Sequence, residues 1–340
     1  GESAPVQTLR TTGTAMMADI TNHIGAMPTR NFTSGHQPPE DGGAFKMGGT
    51  YIRELNTSRG GQTEHACMPG CLIKCSNVYV DNTGREIVSP MEYETICLLG
   101  TNCGLEDPDD VARMNEIAND LGVDSIELGA TIAVLMDAGK GDFGDVAFMK
   151  EVTSEMMAGS ENGKFYATGT ARVGKALNFK RVPVIKKQAI SAYDPRLIEV
   201  TGISMMLTAQ GADHTVGNAA TFKCDDKNVE ELVAESLRMQ INAAVADSLG
   251  LCVFGRSVTD ENLELIANAI NDAFDAGVTP GFIRNSGVET LRLEAAFNNA
   301  AGFGEGDDEL PAFFHEEPLP PTGKMARLSS REVKGAMHNK

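Results

Sequence analysis

The chain has 340 residues, a net charge of −18 at pH 7 and a hydrophobic fraction of 41%, which suits about two domains with apolar cores. Its acidity argues against nucleic acid and anionic membranes as partners, because both are negatively charged themselves. No apolar run approaches the ~20 residues of a membrane helix, and no secretory pattern opens the chain, so we expect a cytoplasmic protein. The first residue is Gly1 rather than methionine, which suits a processed chain or one that begins partway through a gene product.

The first hundred residues predict one helix, an ordered loop and a short β-hairpin. The helix spans 14–24 and ends at Gly25, a residue type that commonly caps helix C-termini. The segment 26–45 is rich in proline and glycine and predicts an ordered loop. A β-like pattern over 78–88 surrounds turn residues at 82–84.

A strong helix signal follows. Asp107 can cap the helix, Pro108 suits its first position, and Gly122 ends it. Apolar side chains then recur on one face, at Val111, Met114, Ala118 and Leu121. Further on, 140–174 is glycine-rich and predicts short helices and loops, and 181–188 could be a strand or a linker.

The C-terminal half predicts three more helices. The clearest spans 228–249, where an apolar stripe stops at Gly250, and two others span 262–276 and 288–299. The tail from Pro311 carries further prolines and is predicted to be extended and mobile. The sum is a mainly α fold with a few short strands.

Three of the seven cysteines crowd into one segment. Cys67, Cys71 and Cys75 have the spacing C-x3-C-x3-C, and thiolates this close can chelate one metal centre with little loop to close. The chain is long and its cysteine count odd, unlike a secreted disulfide framework, so we expect a reducing compartment. An iron–sulfur cubane needs four ligands, so a fourth must come from elsewhere. A structural zinc site and unligated buried cysteines are the alternatives.

Two predicted helices end in similar sequences, at 119–124 and 247–252, which both fit [Asp/Asn]-x-x-Gly-[Leu/Val]-[Asp/Cys]. Helices often end in Leu-Gly, so an accidental match is the alternative explanation. An Asp in the last turn is mildly unfavourable against the negative end of the helix dipole. The aminopyrimidinone edge of a pterin offers two parallel N–H donors that would compensate it. The motifs therefore suggest two bound pterins, and Cys252 would supply the fourth cluster ligand.

Together these features resemble the aldehyde ferredoxin oxidoreductase family of tungsten (or molybdenum) bis-pterin enzymes. Further stretches agree with that family, at 25–32, 92–95, 100–104, 194–196 and 211–214. The chain resembles only the family's two helical domains, expected here at 1–187 with the cysteine cluster and at 188–340 with the second motif. The family's β-rich N-terminal domain has no counterpart in this sequence, so the isolated chain is expected to be inactive.

The resemblance implies that an aldehyde is oxidised to a carboxylic acid and that a 4Fe-4S cluster relays the electrons to ferredoxin. Glu94 would act as base or orient a water, and His214 would polarise the substrate oxygen or relay a proton. Arg196 would lie near the pterin phosphates. The implied cluster ligands are Cys67, Cys71, Cys75 and Cys252, and the implied pterin-binding residues are Asn119, Gly122, Val123, Asp124, Asp247, Gly250 and Leu251. A homo-oligomer is also expected.

Two departures from the family pattern matter. The family's cysteine run is usually C-x2-C-x3-C, so the extra residue here leaves the cluster type open, and Asn119 stands where Asp is usual. Simpler roles are a surface pair on a strand for Glu92 and Glu94, a structural histidine at 214 and a helix-start salt bridge for Arg196. Cys97, Cys103 and Cys224 are expected to be structural. Alternative functions are another family reaction, such as aryl-CoA reduction, and a non-catalytic iron–sulfur electron-transfer module.

Overall fold

The computed structural model describes residues 4–39 and 42–338, and it is mainly helical, with 53% helix and 6% strand. This confirms the predicted fold class. Contacts divide the chain into two compact units, Gly1–Leu197 with Pro311–Ala326, and Ile198–Leu310 with Arg327–Lys340. The predicted domain division at residue 187 stays a prediction, and its outer ends at residues 1 and 340 lie outside the described residues.

The helices and strands are numbered in chain order. The helices are α1 (Ala4–Thr12), α2 (Met16–Ile24), α3 (Gly49–Ser58), α4 (Tyr93–Thr95), α5 (Pro108–Leu121), α6 (Ser125–Asp137), α7 (Val146–Ala158), α8 (Glu161–Tyr166), α9 (Thr170–Ala176), α10 (Glu199–Leu207), α11 (Val229–Ser248), α12 (Arg256–Thr259), α13 (Leu263–Phe274), α14 (Pro280–Ala300), α15 (Phe313–Glu316) and α16 (Ser330–His338). The strands are β1 (Gln62–His65), β2 (Ser76–Val80), β3 (Glu86–Val88), β4 (Val184–Ile185) and β5 (Gln188–Ala189). β1, β2 and β3 form an antiparallel sheet, and β4 pairs with β5.

Capping residues identified from the sequence set several of the helix ends. α2 ends at Gly25, which is left-handed at φ 80°. Asp107 caps α5 by accepting a hydrogen bond from the Asp109 N–H, and Asn228 forms a capping box with Glu231 at the start of α11. The predictions for these three helices are confirmed.

Other boundaries differ from the predictions. α14 begins at Pro280, two turns before the predicted start at 288, and α6 was not predicted at all. The expectation of an extended tail from Pro311 is wrong. That segment forms α15, whose Phe313 and Phe314 are buried, and further on α16. No helix among the described residues is long and apolar enough to cross a membrane.

A buried ion pair helps to hold the first unit together. Arg196 and Asp194 are 1% and 0% exposed, and the guanidinium donates to both carboxylate oxygens at 2.9 and 2.6 Å. It also donates to the backbone carbonyls of Phe32 and Glu317, and it lies over the Phe314 ring at 5.1 Å. The pair thus ties the returning C-terminal segment of this unit to the segments around residues 32 and 194.

We predict that Arg196→Ala lowers the free energy of unfolding by about 3–5 kcal/mol, because it leaves the Asp194 carboxylate buried without a partner. Urea denaturation followed by circular dichroism measures the loss. Arg292→Ala is the matched control, since the Arg292–Glu289 pair is 65% and 52% exposed and its removal should not move the midpoint. An equal response of the two variants would contradict the assigned role of Arg196.

In the second unit, α14 packs closely along α11. A Cβ atom at Gly287 would lie 2.7 Å from the Ile241 carbonyl oxygen and 2.7 Å from Val245 Cγ2. Val245 also joins Ala267 and Ile283 in a small apolar core. The glycine therefore sets how closely the two helix backbones approach.

We predict that Gly287→Ala destabilises the protein by about 1–3 kcal/mol, because a backbone atom of α11 must move to admit the methyl group. Gly281→Ala, on the same helix, is the control. Its added Cβ meets nothing nearer than Thr279 Oγ1 at 3.9 Å, so it should be neutral or gain up to about 1 kcal/mol in helix propensity. Thermal unfolding of both variants tests this, and a stabilising Gly287→Ala would refute the packing argument.

Candidate functional site

The three clustered cysteines lie in the loop that joins β1 to β2, at residues 66–75. Cys67 is exposed, whereas Cys71 and Cys75 are partly exposed. The second half of the loop lies against α1 and the residue that follows it. Arg10 of α1 donates to the Leu72 carbonyl, and a Cβ at Gly13 would come within 2.6 Å of the Cys75 carbonyl oxygen.

The loop offers suitable donor atoms for a cluster. The Lys74 N–H donates to Cys71 Sγ at 3.4 Å, the kind of hydrogen bond that tunes cluster thiolates. Within residues 4–39 and 42–338, no three His, Cys, Asp or Glu side chains lie close enough together to hold a metal ion. Cys252 belongs to the second unit. The four-cysteine cluster therefore stays a prediction, supported by the donor chemistry.

The seven cysteines divide into two groups by accessibility. The four predicted ligands are exposed or partly exposed, whereas Cys97, Cys103 and Cys224 are buried. Burial raises the pKa of these three thiols, so they are poor sources of thiolate at neutral pH. The predicted ligands and the cysteines expected to be structural therefore differ in accessibility, while their roles stay predictions.

The two helix-end motifs have the same backbone geometry. The motif glycine is left-handed in both, at φ 68° for Gly122 and 65° for Gly250, and the last residue is extended, at φ −65°, ψ 126° for Asp124 and φ −67°, ψ 131° for Cys252. The capping bonds are Gly122 N to Asn119 O (3.1 Å), Val123 N to Ala118 O (3.1 Å), Gly250 N to Asp247 O (3.0 Å) and Leu251 N to Ala246 O (2.8 Å). Both ends are Schellman caps, so the sequence match corresponds to a structural one.

Three polar side chains of the two motifs differ in role: one caps a helix, and two are exposed and form no hydrogen bond within the part of the chain that the structure describes. Asn119 and Asp247 are exposed, and neither side chain takes part in a hydrogen bond among the described residues. Asp124 is occupied instead, because its carboxylate caps α6 by accepting from the N–H groups of Ile126 and Glu127 at 3.1 and 3.3 Å. The first motif position is therefore the one open to a ligand.

The second motif lies in an acidic region that also includes the expected catalytic histidine. Although Asp247 is exposed, partial burial raises the pKa of its carboxyl. The charge of Arg256 lowers this pKa, and the charge of Asp213 raises it. His214 Nδ1 lies 3.7 Å from Asp213 Oδ1. Glu294 belongs to the same region, because its pKa is raised by burial and then by Asp247. Sequence reasoning missed Arg256 and Glu294, since no motif marks them.

Glu92 and Glu94 lie at the start of α4, so the alternative of a surface pair on a strand is wrong. Glu92 accepts a hydrogen bond from the Thr14 hydroxyl, and burial raises its pKa, against which the Thr14 bond acts. Glu94 Oε2 accepts from the Ala192 N–H at 2.8 Å. The two carboxylates thus have different partners and different environments.

Arg196 has the contacts of a structural residue. Its four hydrogen bonds go to Asp194 and to two carbonyls, which supports the salt-bridge alternative. Its expected position near pterin phosphates stays a prediction.

Comparison with known proteins finds a matching family model and curated relatives that are oxidoreductases. The family model described as aldehyde ferredoxin oxidoreductase, domains 2 & 3, matches residues 1–338. The chain is 27% identical over 339 residues to the tungsten-containing aldehyde ferredoxin oxidoreductase of Pyrococcus horikoshii, covering 91% of this chain and 53% of that protein. It is 25% identical over 296 residues to an aliphatic sulfonate oxidoreductase, WOR-like subunit, of Pyrococcus furiosus, covering 77% and 44%. It thus spans about half the length of these curated relatives.

Among solved structures, the active site complex BamBC of benzoyl coenzyme A reductase has a chain of similar fold. The TM-score is 0.73 at 12% identity, and the match covers 97% of this chain and 56% of that chain. Since the family model spans nearly the whole sequence and the paired helix-end motifs share one geometry, the chain belongs to the aldehyde ferredoxin oxidoreductase family and corresponds to its domains 2 and 3.

Proposed function

We propose that this chain is the C-terminal part of a tungsten (or molybdenum) bis-pterin, iron–sulfur oxidoreductase that oxidises an aldehyde to a carboxylic acid. The observation that carries the proposal is the shared geometry of the two helix ends, which leaves Asn119 and Asp247 exposed without hydrogen-bond partners. The overall change is aldehyde plus water to carboxylic acid, two electrons and two protons. The bound metal–pterin cofactor would supply the two-electron chemistry.

Cys67, Cys71, Cys75 and Cys252 would hold the 4Fe-4S cluster. Their accessibility supports this, because a thiol must be able to ionise and reach the metal. Met68 and Leu72 of the same loop are 60% and 80% exposed. Exposed apolar side chains beside a redox centre suit brief contact with an electron carrier, for which we propose ferredoxin.

Asn119 and Asp247 would each accept hydrogen bonds from the N–H groups of one pterin. Charge-assisted bonds to Asp247 are worth about 1.5–3 kcal/mol, and a neutral amide acceptor contributes about 1 kcal/mol. The second motif would therefore bind its pterin with higher affinity than the first motif. Gly122 and Gly250 have open space where a Cβ would be, which leaves room for a flat ring to approach.

Glu94 and His214 would handle protons. Glu94 has one carboxylate oxygen held by the Ala192 N–H and would take a proton from the attacking water. His214, beside the Asp213 carboxylate, would polarise the aldehyde oxygen or relay a proton. Each role requires that the side chain lie within hydrogen-bond distance of the substrate or of the attacking water.

The rest of the enzyme would come from the family's β-rich N-terminal domain, and we propose a homo-oligomer in the cytoplasm. The curated relatives at 25–27% identity are named as oxidoreductases, and those at 26–27% are named as tungsten-containing aldehyde ferredoxin oxidoreductases. The likeness to benzoyl coenzyme A reductase supports the fold alone. Aldehyde is therefore the favoured substrate class over an aryl-CoA thioester.

The assembled enzyme tests the proposal as a whole. We expect the chain produced with the β-rich domain to contain tungsten or molybdenum, pterin and iron, and to reduce ferredoxin when acetaldehyde is added. Iron without pterin would indicate an electron-transfer module instead. Turnover with benzoyl coenzyme A and none with aldehydes would indicate the reductase reaction.

The pterin assignment predicts opposite effects for two exchanges in this assembled enzyme. Asp247→Asn removes a charged acceptor and should weaken pterin retention by about tenfold, whereas Asn119→Asp adds one and should strengthen it. Pterin released on denaturation and quantified by fluorescence is the measurement. Asp120→Asn, an exposed neighbour at a variable motif position, is the control and should change nothing. Equal retention in all variants would remove the basis for pterin binding here.

The cluster assignment predicts that Cys252→Ala loses most of the iron after anaerobic reconstitution with iron and sulfide. Cys224→Ala, which removes a buried thiol from the same unit, should keep it. Iron analysis and the absorbance of the cluster in visible light are the readouts. Full iron content in Cys252→Ala would show that this residue is not a ligand.

A further inference from the structure

The connection between β5 and α10 is buried although it has no helix or strand structure. Residues 190–196 are all buried. Buried backbone without a ladder must find other hydrogen-bond partners, since an orphaned N–H or C=O costs as much as a lost hydrogen bond. Side chains that form hydrogen bonds with the backbone of this segment are therefore themselves held in place by it.

A tight turn is centred on Ala192. The Tyr193 N–H donates to the Ser191 carbonyl at 2.7 Å, which closes a three-residue turn. That bond uses neither the N–H nor the C=O of Ala192 itself. The Ala192 N–H donates to Glu94 Oε2 at 2.8 Å, and the Ala192 carbonyl accepts from the Tyr93 hydroxyl. Two consecutive side chains of α4 thus bind opposite sides of one buried residue.

We propose that Tyr93 is a positioning residue for Glu94, acting through Ala192. The inference rests on the proposed function, in which Glu94 moves a proton. With its carbonyl held by Tyr93, the Ala192 residue presents its N–H at a fixed place, and this N–H holds one oxygen of the Glu94 carboxylate. The second oxygen is then oriented without further loss of side-chain entropy when substrate binds.

Tyr93 is itself held firmly. It is 2% exposed, its hydroxyl lies 3.1 Å from the Thr21 hydroxyl of α2, and its ring centre lies 5.3 Å from that of Tyr193. The Tyr93 N–H donates to Thr14 Oγ1 at 3.0 Å. Contacts from several segments of the first unit therefore fix the position of the Tyr93 hydroxyl. If Ala192 shifted, the hydroxyl would not move with it, and the hydrogen bond would resist the shift.

Hydrogen exchange of the Ala192 amide in the purified chain tests the contact without any cofactor. Tyr93→Phe should speed its exchange about tenfold, on the scale of one net hydrogen bond. Glu94→Ala should also speed it, and Glu94→Gln, which keeps an acceptor oxygen, should restore slow exchange. Tyr79→Phe is the control, because it removes a buried hydroxyl bonded to Asp109 elsewhere in the unit and should leave the Ala192 amide unchanged. Unaltered exchange in Tyr93→Phe would overturn the proposal.

Turnover of acetaldehyde by the assembled enzyme, with benzyl viologen as acceptor, supplies the second readout. Tyr93→Phe should lower kcat about tenfold with KM unchanged, whereas Tyr79→Phe should leave both unchanged. Faster Ala192 exchange with normal kcat would also overturn the positioning role. Full activity in Glu94→Gln would instead refute the proposed role of Glu94, so the two failures are distinguishable.

Discussion

The candidate site depends on how each motif helix ends. An α-helix leaves its last carbonyls without intrahelical partners, and a left-handed glycine lets the following N–H groups turn back and satisfy some of them. Gly122 and Gly250 do this in the same way. Because the backbone supplies its own cap, the polar side chain in the last turn is not needed for it. Asn119 and Asp247 are thereby left available for another molecule.

The chain contains two contrasting groups of charged side chains. Arg196 and Asp194 neutralise each other inside the first unit, with further bonds to carbonyls, so removing either partner would leave a buried charge unpaired. Around Asp247, partial burial and the charge of Asp213 raise the pKa of the Asp247 carboxyl, the charge of Arg256 lowers it, and the Glu294 pKa is raised by burial and by Asp247. Such a region is poorly compensated within its own unit, as expected where hydrogen-bond donors of a ligand complete the site.

The sequence predicted those features that depend on local chemistry. Caps at Asp107, Gly25 and Asn228 marked helix ends. Features that depend on tertiary contact were missed. α6 is buried on nearly all sides, so its sequence lacks the periodicity that reveals a surface helix.

The start of α14 and the structure of the tail were predicted wrongly for the same reason. The predicted helix starts at 288, directly after Gly287, whereas the structure continues α14 through this glycine, where α11 leaves no room for a Cβ atom. The tail resembles a mobile segment until Phe313 and Phe314 are found buried, with the Phe314 ring 5.5 Å from that of Phe32 and under Arg196. In both cases a distant partner decides the structure, and a single sequence does not name it. The positions of the proposed metal ligands relative to one another also depend on tertiary structure, which sequence spacing alone does not determine.

The buried connection at residues 190–196 links folding to the candidate chemistry. Its C-terminal part carries the ion pair of Asp194 and Arg196, and its centre uses Glu94 and Tyr93 to satisfy Ala192. A loop buried this deeply cannot rely on water for its hydrogen bonds, so it takes them from neighbouring side chains. Glu94 is therefore fixed in orientation as the first unit folds, before any substrate binds. The same hydrogen bond meets a structural need of the loop and orients the carboxylate that, under the proposed function, would transfer a proton.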